Sequence, residues 1–179
     1  MTFRNCVAYN DAGGALGMCC ESGAELSNVR YEDCTVLHAT HPNPSRGAIG
    51  IELEGTGAIN GFRFENLVIE DVTGELHPAL KVVNNWDDWH MNLPSPPGRP
   101  YEQANPPARK EPRGAIRNVL FRNITVLRCD TEDVVLMADG PQSPIENVTF
   151  DNVVIAGKRL EPKDPRLKTN AWVRNVVVR

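Results

Sequence analysis

Helical periodicity is what this sequence most lacks. Nowhere along its 179 residues do apolar side chains recur at helical spacing over a long run, which sets aside bundles and other helix-dominated folds. No apolar run approaches the roughly 20 residues of a membrane span, and no secretory leader opens the chain. Basic charge is not in excess either. Lys and Arg number 19 against 23 Asp and Glu, giving a net charge of −4 and a pI near 5.6. Neither a nucleic acid, which usually demands a basic face, nor a membrane is therefore expected as a partner. Cysteines number five, an odd count, and no CxxC spacing occurs, so the pattern implies neither a zinc site nor a disulfide framework. No cofactor is expected.

What the chain does have is a repeat. Aligned on an aromatic, "NVRYEDCTV" with Tyr31, "GFRFENLVI" with Phe64, "NVLFRNITV" with Phe121 and "NVTFDNVVI" with Phe150 are copies of one unit, flanked by weaker copies at Phe3 and Val178. The steps between successive anchors are 28, 33, 57, 29 and 28 residues. The step of 57 reads as one period plus an insertion, or as two periods. Two residues after the anchor stand Asn5, Asp33, Asn66, Asn123 and Asn152; three before it stand Asn28, Gly61, Asn118, Asn147 and Asn175.

Asparagine is a poor strand former and costly to bury unpaired. A parallel β-solenoid resolves the difficulty, because equivalent residues of successive coils stack at roughly 4.8 Å and each amide pairs with those above and below. Asparagine also tolerates the left-handed backbone of a sharp bend. The 41% hydrophobic content suffices for a core, and further strands are read in "GALGM", "AIGIEL", "ALKVV" and "DVVLM". The expectation is an all-β, single-domain solenoid over residues 1–179, of about six coils, with a loop insertion over 84–115. Cys6 and Cys34 share a register and are read as stacked buried thiols. The N-x-[ST] motifs at Asn123 and Asn147 belong to the amide columns, so their side chains are expected to turn inward, away from glycosylation.

The run "GGALGMCCESGAELSNVRYEDCTV", followed by "GAIGIELEGTGAINGFRFENLVIEDV", resembles the later coils of the right-handed parallel β-helix of pectin-lyase-like proteins, nearest to the glycoside hydrolase family 28 polygalacturonases. The motifs cover about residues 3 to 72; beyond them only the repeat pattern carries the likeness. The resemblance implies a polysaccharide cleft along one sheet and an extracellular setting. It does not carry the family's catalytic groups across. The "GHG" histidine falls on Gly14, and the "RIK" arginine and lysine fall on Glu52 and Glu54. The aspartate-bearing coils would precede residue 1. Two carboxylates cannot grip an anionic galacturonate where the family uses two cations.

In "GIELEG", alternation puts Ile51 and Leu53 on one face and Glu52 and Glu54 on the other, which is expected to face solvent. Lys81 holds a comparable place on the next coil, and Glu21 follows the preceding strand. Glu52 and Glu54 could serve as an acid and base pair on a neutral glycosidic bond; the plainer reading is a solvated face with an ion pair to Lys81. The second constellation lies in "NNWDDWHMNLPSPPGRPYEQANPPARKEPRG", where seven prolines between Pro94 and Pro112 favour an extended loop. Trp86, Trp89 and Tyr101 could stack on sugar rings, with Asp87, Asp88 and His90 supplying hydrogen bonds or acid and base groups. Alternatively the tryptophans pin the loop or bury a subunit contact. A metal on Asp87, Asp88 and His90 is disfavoured, since adjacent aspartates on an extended chain point opposite ways.

Three readings follow: a glycoside hydrolase-like β-helix acting on a polysaccharide or oligosaccharide through Glu52, Glu54, Asp87 or Asp88; a non-catalytic glycan-binding module; and a fragment of a larger hydrolase. Both ends of the chain break off in mid-repeat without an amphipathic cap, so a homo-oligomer through exposed solenoid ends is expected.

Overall fold

A computed structural model of the protein describes residues 1–11, 14–20, 23–40, 47–53, 55–73, 78–84 and 113–179. Among these residues there is no helix, and the strands join in two sheets, one of 11 strands and one of five. Pairing is parallel throughout, apart from a short antiparallel return of Lys158–Arg159 onto Val154 and Ile155 and an isolated bridge between Gly140 and Ser143.

The repeat anchors lie in one register. Phe3 pairs with Tyr31, Tyr31 with Phe64, Phe64 with Phe121, Phe121 with Phe150, and Phe150 with Val178. Phe64 sits directly against Phe121, so the 57-residue step is one period carrying an insertion. The rings stack face to face, with centroids 4.8 to 5.3 Å apart and planes within 10°. Phe64, Phe121 and Phe150 are fully buried. Each contact adds about 0.5–1.5 kcal/mol to what burial alone supplies.

Every member of the two amide columns has a left-handed backbone. Asn5, Asp33, Asn66, Asn123 and Asn152 have φ of 52 to 57°; Asn28, Asn118, Asn147 and Asn175 have 53 to 58°, and Gly61 has 75°. The amides form ladders. Asn66 Nδ2 donates to Asp33 Oδ1 at 2.9 Å, Asn123 to Asn66 at 2.9 Å and Asn152 to Asn123 at 3.0 Å. In the other column Asn175 donates to Asn147 and Asn147 to Asn118, at 3.1 and 3.0 Å. Where glycine interrupts it, Asn60 supplies the acceptor for Asn118 at 2.8 Å.

One expectation is corrected here. Asn123 and Asn147 are exposed, because a left-handed residue at a corner swings its side chain out of the core while the flanking residues turn theirs in. The ladder runs along the outside of the bends.

The second sheet is ordered Leu167–Thr169, Val134–Met137, Leu80–Val83, Ile49–Leu53, Leu16–Cys20. Four of these are the strands expected from the second set of apolar runs; Leu167–Thr169 is not among them. Ile49, Ile51, Leu53, Leu80 and Val82 are fully buried and share one cluster with the aromatic stack. Cys34 is 2% exposed, and burial pushes its thiol above the usual range; Cys6 is half-buried. Neither forms a disulfide.

Candidate functional site

Two of the sequence-predicted site residues, Glu52 and Lys81, lie among the described residues, and the five-stranded sheet brings them together. Strand register sets Lys81 beside Gly50, and Val83 beside Glu52. Lys81 therefore reaches diagonally, and its Nζ lies 3.2 Å from Glu52 Oε1. Such a pair is what alternation predicts. Its environment is not: Glu52 is 3% exposed and Lys81 0%, so the expectation that the Glu52 face meets solvent is corrected. Alternation tells which side of a sheet a residue takes, not whether that side is covered. A buried charge requires a partner, and each of these residues serves as the other's.

Glycine lets the backbone pack closely around this pair. A Cβ on Gly47 would sit 3.0 Å from the Cβ of Lys81, and one on Gly17, whose φ is 146°, would run into the carbonyl oxygen of Gly50. The strands carrying Gly17, Gly50 and Lys81 pack in register with no side chain at two of the three positions.

A recess of about 200 Å³ opens here, lined by Gly14, Gly17, Gly47, Gly50, Tyr31 and Glu52 among others. Glu52 is the carboxylate on that lining among the described residues. Tyr31 donates its hydroxyl to the Gly17 carbonyl at 2.9 Å, and burial pushes its phenol upward. The recess is smaller than the roughly 300–1,000 Å³ of drug-sized sites, and its backbone-rich wall with one anchored carboxylate suits a single small polar group. Gly14, which aligns with the histidine of the resembled family, and Glu52, which aligns with its arginine, both line it.

Glu21, Glu54, Trp86, Asp87, Asp88, Trp89, His90 and Tyr101 lie outside the described residues. The two ends of the insertion are described, and a buried polar network ties them together. Asn84 Nδ2 donates to the carbonyls of Gly114 and Ser143 at 2.8 and 2.9 Å, its Oδ1 accepts from Asp139 N at 2.8 Å, and Arg113 Nη1 donates to the Asn84 carbonyl at 2.8 Å. Asn84, Arg113 and Ser143 are each at most 3% exposed. The chain thus enters and leaves the segment 85–112 at a single point, next to the strand that carries Lys81.

A second polar group escapes sequence inspection. His38 Nδ1 lies 3.2 Å from Asp71 Oδ2, Arg128 pairs with the same carboxylate at 3.6 Å, and Thr73 donates to its other oxygen at 2.7 Å. The Tyr9 ring lies 5.4 Å from that of His38. Burial pushes the Asp71 carboxyl up, but the bonds from Thr73 and His38 and the charge of Arg128 outweigh it and hold it below its ordinary value. The 33-residue step from His38 to Asp71 matches that from Tyr31 to Phe64 and was the available signal. Among the described residues no group of three or more His, Cys, Asp or Glu could hold a metal.

Comparison with family models, with curated proteins and with solved structures finds no match to this chain.

Proposed function

We propose that the chain is a right-handed parallel β-helix of about six coils, of the pectin-lyase-like kind, that acts on a polysaccharide or oligosaccharide at the outward side of its five-stranded sheet. The observation that carries this reading is the Glu52–Lys81 pair, buried at 3.2 Å beside a recess whose wall is largely backbone. Burying two charges costs several kcal/mol per ion before their attraction is counted, and hydrophobic residues would fill the same space more stably. A carboxylate held in this way beside a recess has its position fixed by its partner, as a reacting or ligand-orienting group requires.

In a hydrolysis of a neutral glycosidic bond, the ion-paired Glu52 takes the part of base or nucleophile. A second carboxyl protonates the leaving oxygen, and water supplies the hydroxyl of the new reducing end. Candidates for the second carboxyl are Glu54, Asp87 and Asp88. Trp86, Trp89, Tyr101 and His90, with Glu21, are proposed as the sugar contacts. Incubation with a panel of neutral polysaccharides, followed by assay of new reducing ends, tests this. Glu52→Gln is expected to lower release by about 10²-fold or more, the usual worth of a positioned base.

A second reading, a glycan-binding module without hydrolysis, is favoured by one observation: the recess lining holds a single carboxylate among the described residues, where cleavage needs two. Retention in polysaccharide-containing gels without release of sugar would establish it in place of the first.

A further inference from the structure

The outward positions of the large sheet carry a charge pattern opposite to that of the whole chain. Beside the inward aromatic stack, the six strands containing Phe3, Tyr31, Phe64, Phe121, Phe150 and Val178 present Arg4, Arg30, Glu32, Arg63, Glu65, Arg122, Asp151 and Arg179. Across the asparagine bend, the adjoining facet adds Arg117, Glu146 and Arg174. That is seven arginines against four carboxylates, an excess of three positive charges in a chain whose net charge is −4.

The carboxylates lie beneath and the guanidiniums above. Glu32, Glu65, Glu146 and Asp151 have side chains 14 to 26% exposed, whereas the seven arginines are 39 to 61% exposed. Each carboxylate is shared by two arginines: Glu32 by Arg4 and Arg30, Glu65 by Arg63 and Arg122, Asp151 by Arg122 and Arg179, Glu146 by Arg117 and Arg174. A guanidinium has five N–H donors, more than its ion pair with one carboxylate, or with two for Arg122, takes up. With strands about 4.8 Å apart, six of them set these groups along a track of about 24 Å.

We infer that this track is a binding face for a sulfated glycan, separate from the Glu52 recess. An incoming carboxylate would compete for forks that already hold one. A sulfate ester, with three terminal oxygens, can instead bridge the outward N–H groups of arginines on neighbouring strands and leave the inner pairs intact. The excess of three charges over about 24 Å suits a sparsely charged polymer. Duplex DNA carries a charge every 1.7 Å or so of its axis, far more than that excess can match. No outward position on these strands is aromatic, so bases find no stacking platform.

Affinity electrophoresis of the full chain through gels containing sparsely substituted dextran sulfate, uncharged dextran or polygalacturonate tests the inference, with duplex DNA in a separate shift assay. Retardation by dextran sulfate is expected at low salt, weakening as salt is added. The paired change Arg63→Gln with Arg122→Gln should weaken retardation by about tenfold, and Arg63→Lys with Arg122→Lys by less, because charge remains while the fork is lost. Lys168→Gln, at an exposed position on the other sheet, should leave it unchanged. If the first pair lowers the melting temperature, Arg117→Gln with Arg174→Gln on the adjoining facet makes the same test. Absence of retardation at low salt, folded arginine variants that bind as the parent does, or binding to polygalacturonate or DNA as tight as to dextran sulfate would each overturn it.

Discussion

At Asn123 one side chain does two things: it occupies a left-handed backbone with φ of 52° and it both donates to Asn66 and accepts from Asn152. Asn123→Ala removes two hydrogen bonds, worth about 0.5–1.5 kcal/mol each, and keeps a Cβ in a left-handed backbone, at a cost of about 1–2 kcal/mol that the asparagine side chain no longer offsets by local hydrogen bonding. Asn123→Gly removes the bonds and the Cβ together. Urea denaturation is expected to rank the three wild type, glycine, alanine, with the alanine variant about 2–5 kcal/mol below wild type on these figures. The Glu52–Lys81 pair gives a second ranking. Lys81→Ala strands a buried carboxylate and should cost about 3–5 kcal/mol, whereas Lys81→Met with Glu52→Leu together should cost less than either single change. The pH dependence follows from Asp71 and Asp164. Asp164 is held far below its ordinary range, chiefly by the hydrogen bond from Arg166; Asp71 is lowered also. Carboxyls depressed in the folded state lend stability above their unfolded value, near pH 4, and lose it as pH falls toward their folded values. Urea midpoints should therefore drop from pH 6 to pH 3, and Asp164→Asn should flatten that drop.

For the elements, the decisive information was periodicity. Anchors at 28 to 33 residues, with asparagine at two fixed offsets, made the parallel stacking and its register legible, because equal spacing puts chemically equal side chains in contact and a mismatch would break every ladder at once. The aromatic stack depends on that same register. Phe121→Ala empties a fully buried site between Phe64 and Phe150 and should cost about 3–5 kcal/mol, with Phe121→Leu losing less; a cost under 1 kcal/mol by chemical denaturation would speak against a continuous stack. The outward swing of Asn147 was not legible, because a strand pattern does not say on which side of a bend a left-handed residue points. The His38–Asp71–Arg128 group was hidden for another reason. Its members differ in kind from strand to strand, so they leave no repeated letter to align, although the register that unites them is the one the aromatics reveal.

Across the whole molecule, two surfaces of unlike chemistry lie on different sheets: a backbone-rich recess beside the Glu52–Lys81 pair on the five-stranded sheet and an arginine track on the larger one. The sequence made the location of the recess legible through Glu52 and Lys81, but not its burial. Covering of a sheet face depends on segments remote in sequence, and local alternation carries no record of them. The arginine track was obscured by the global sum, since a net charge of −4 conceals how charge is divided between faces. Glu52, anchored by Lys81, is proposed as the reactive or ligand-holding group of a glycan site. Parallel assays of binding and reducing-end release on neutral oligosaccharides, comparing wild type with a folded Glu52→Gln variant, test it most directly. Wild type is expected to bind or cleave at least one of them, and the variant to lose that behaviour by about 10²-fold in rate or about tenfold in affinity. A variant as active and as tightly binding as wild type, or a wild type inert to every glycan offered, would contradict it.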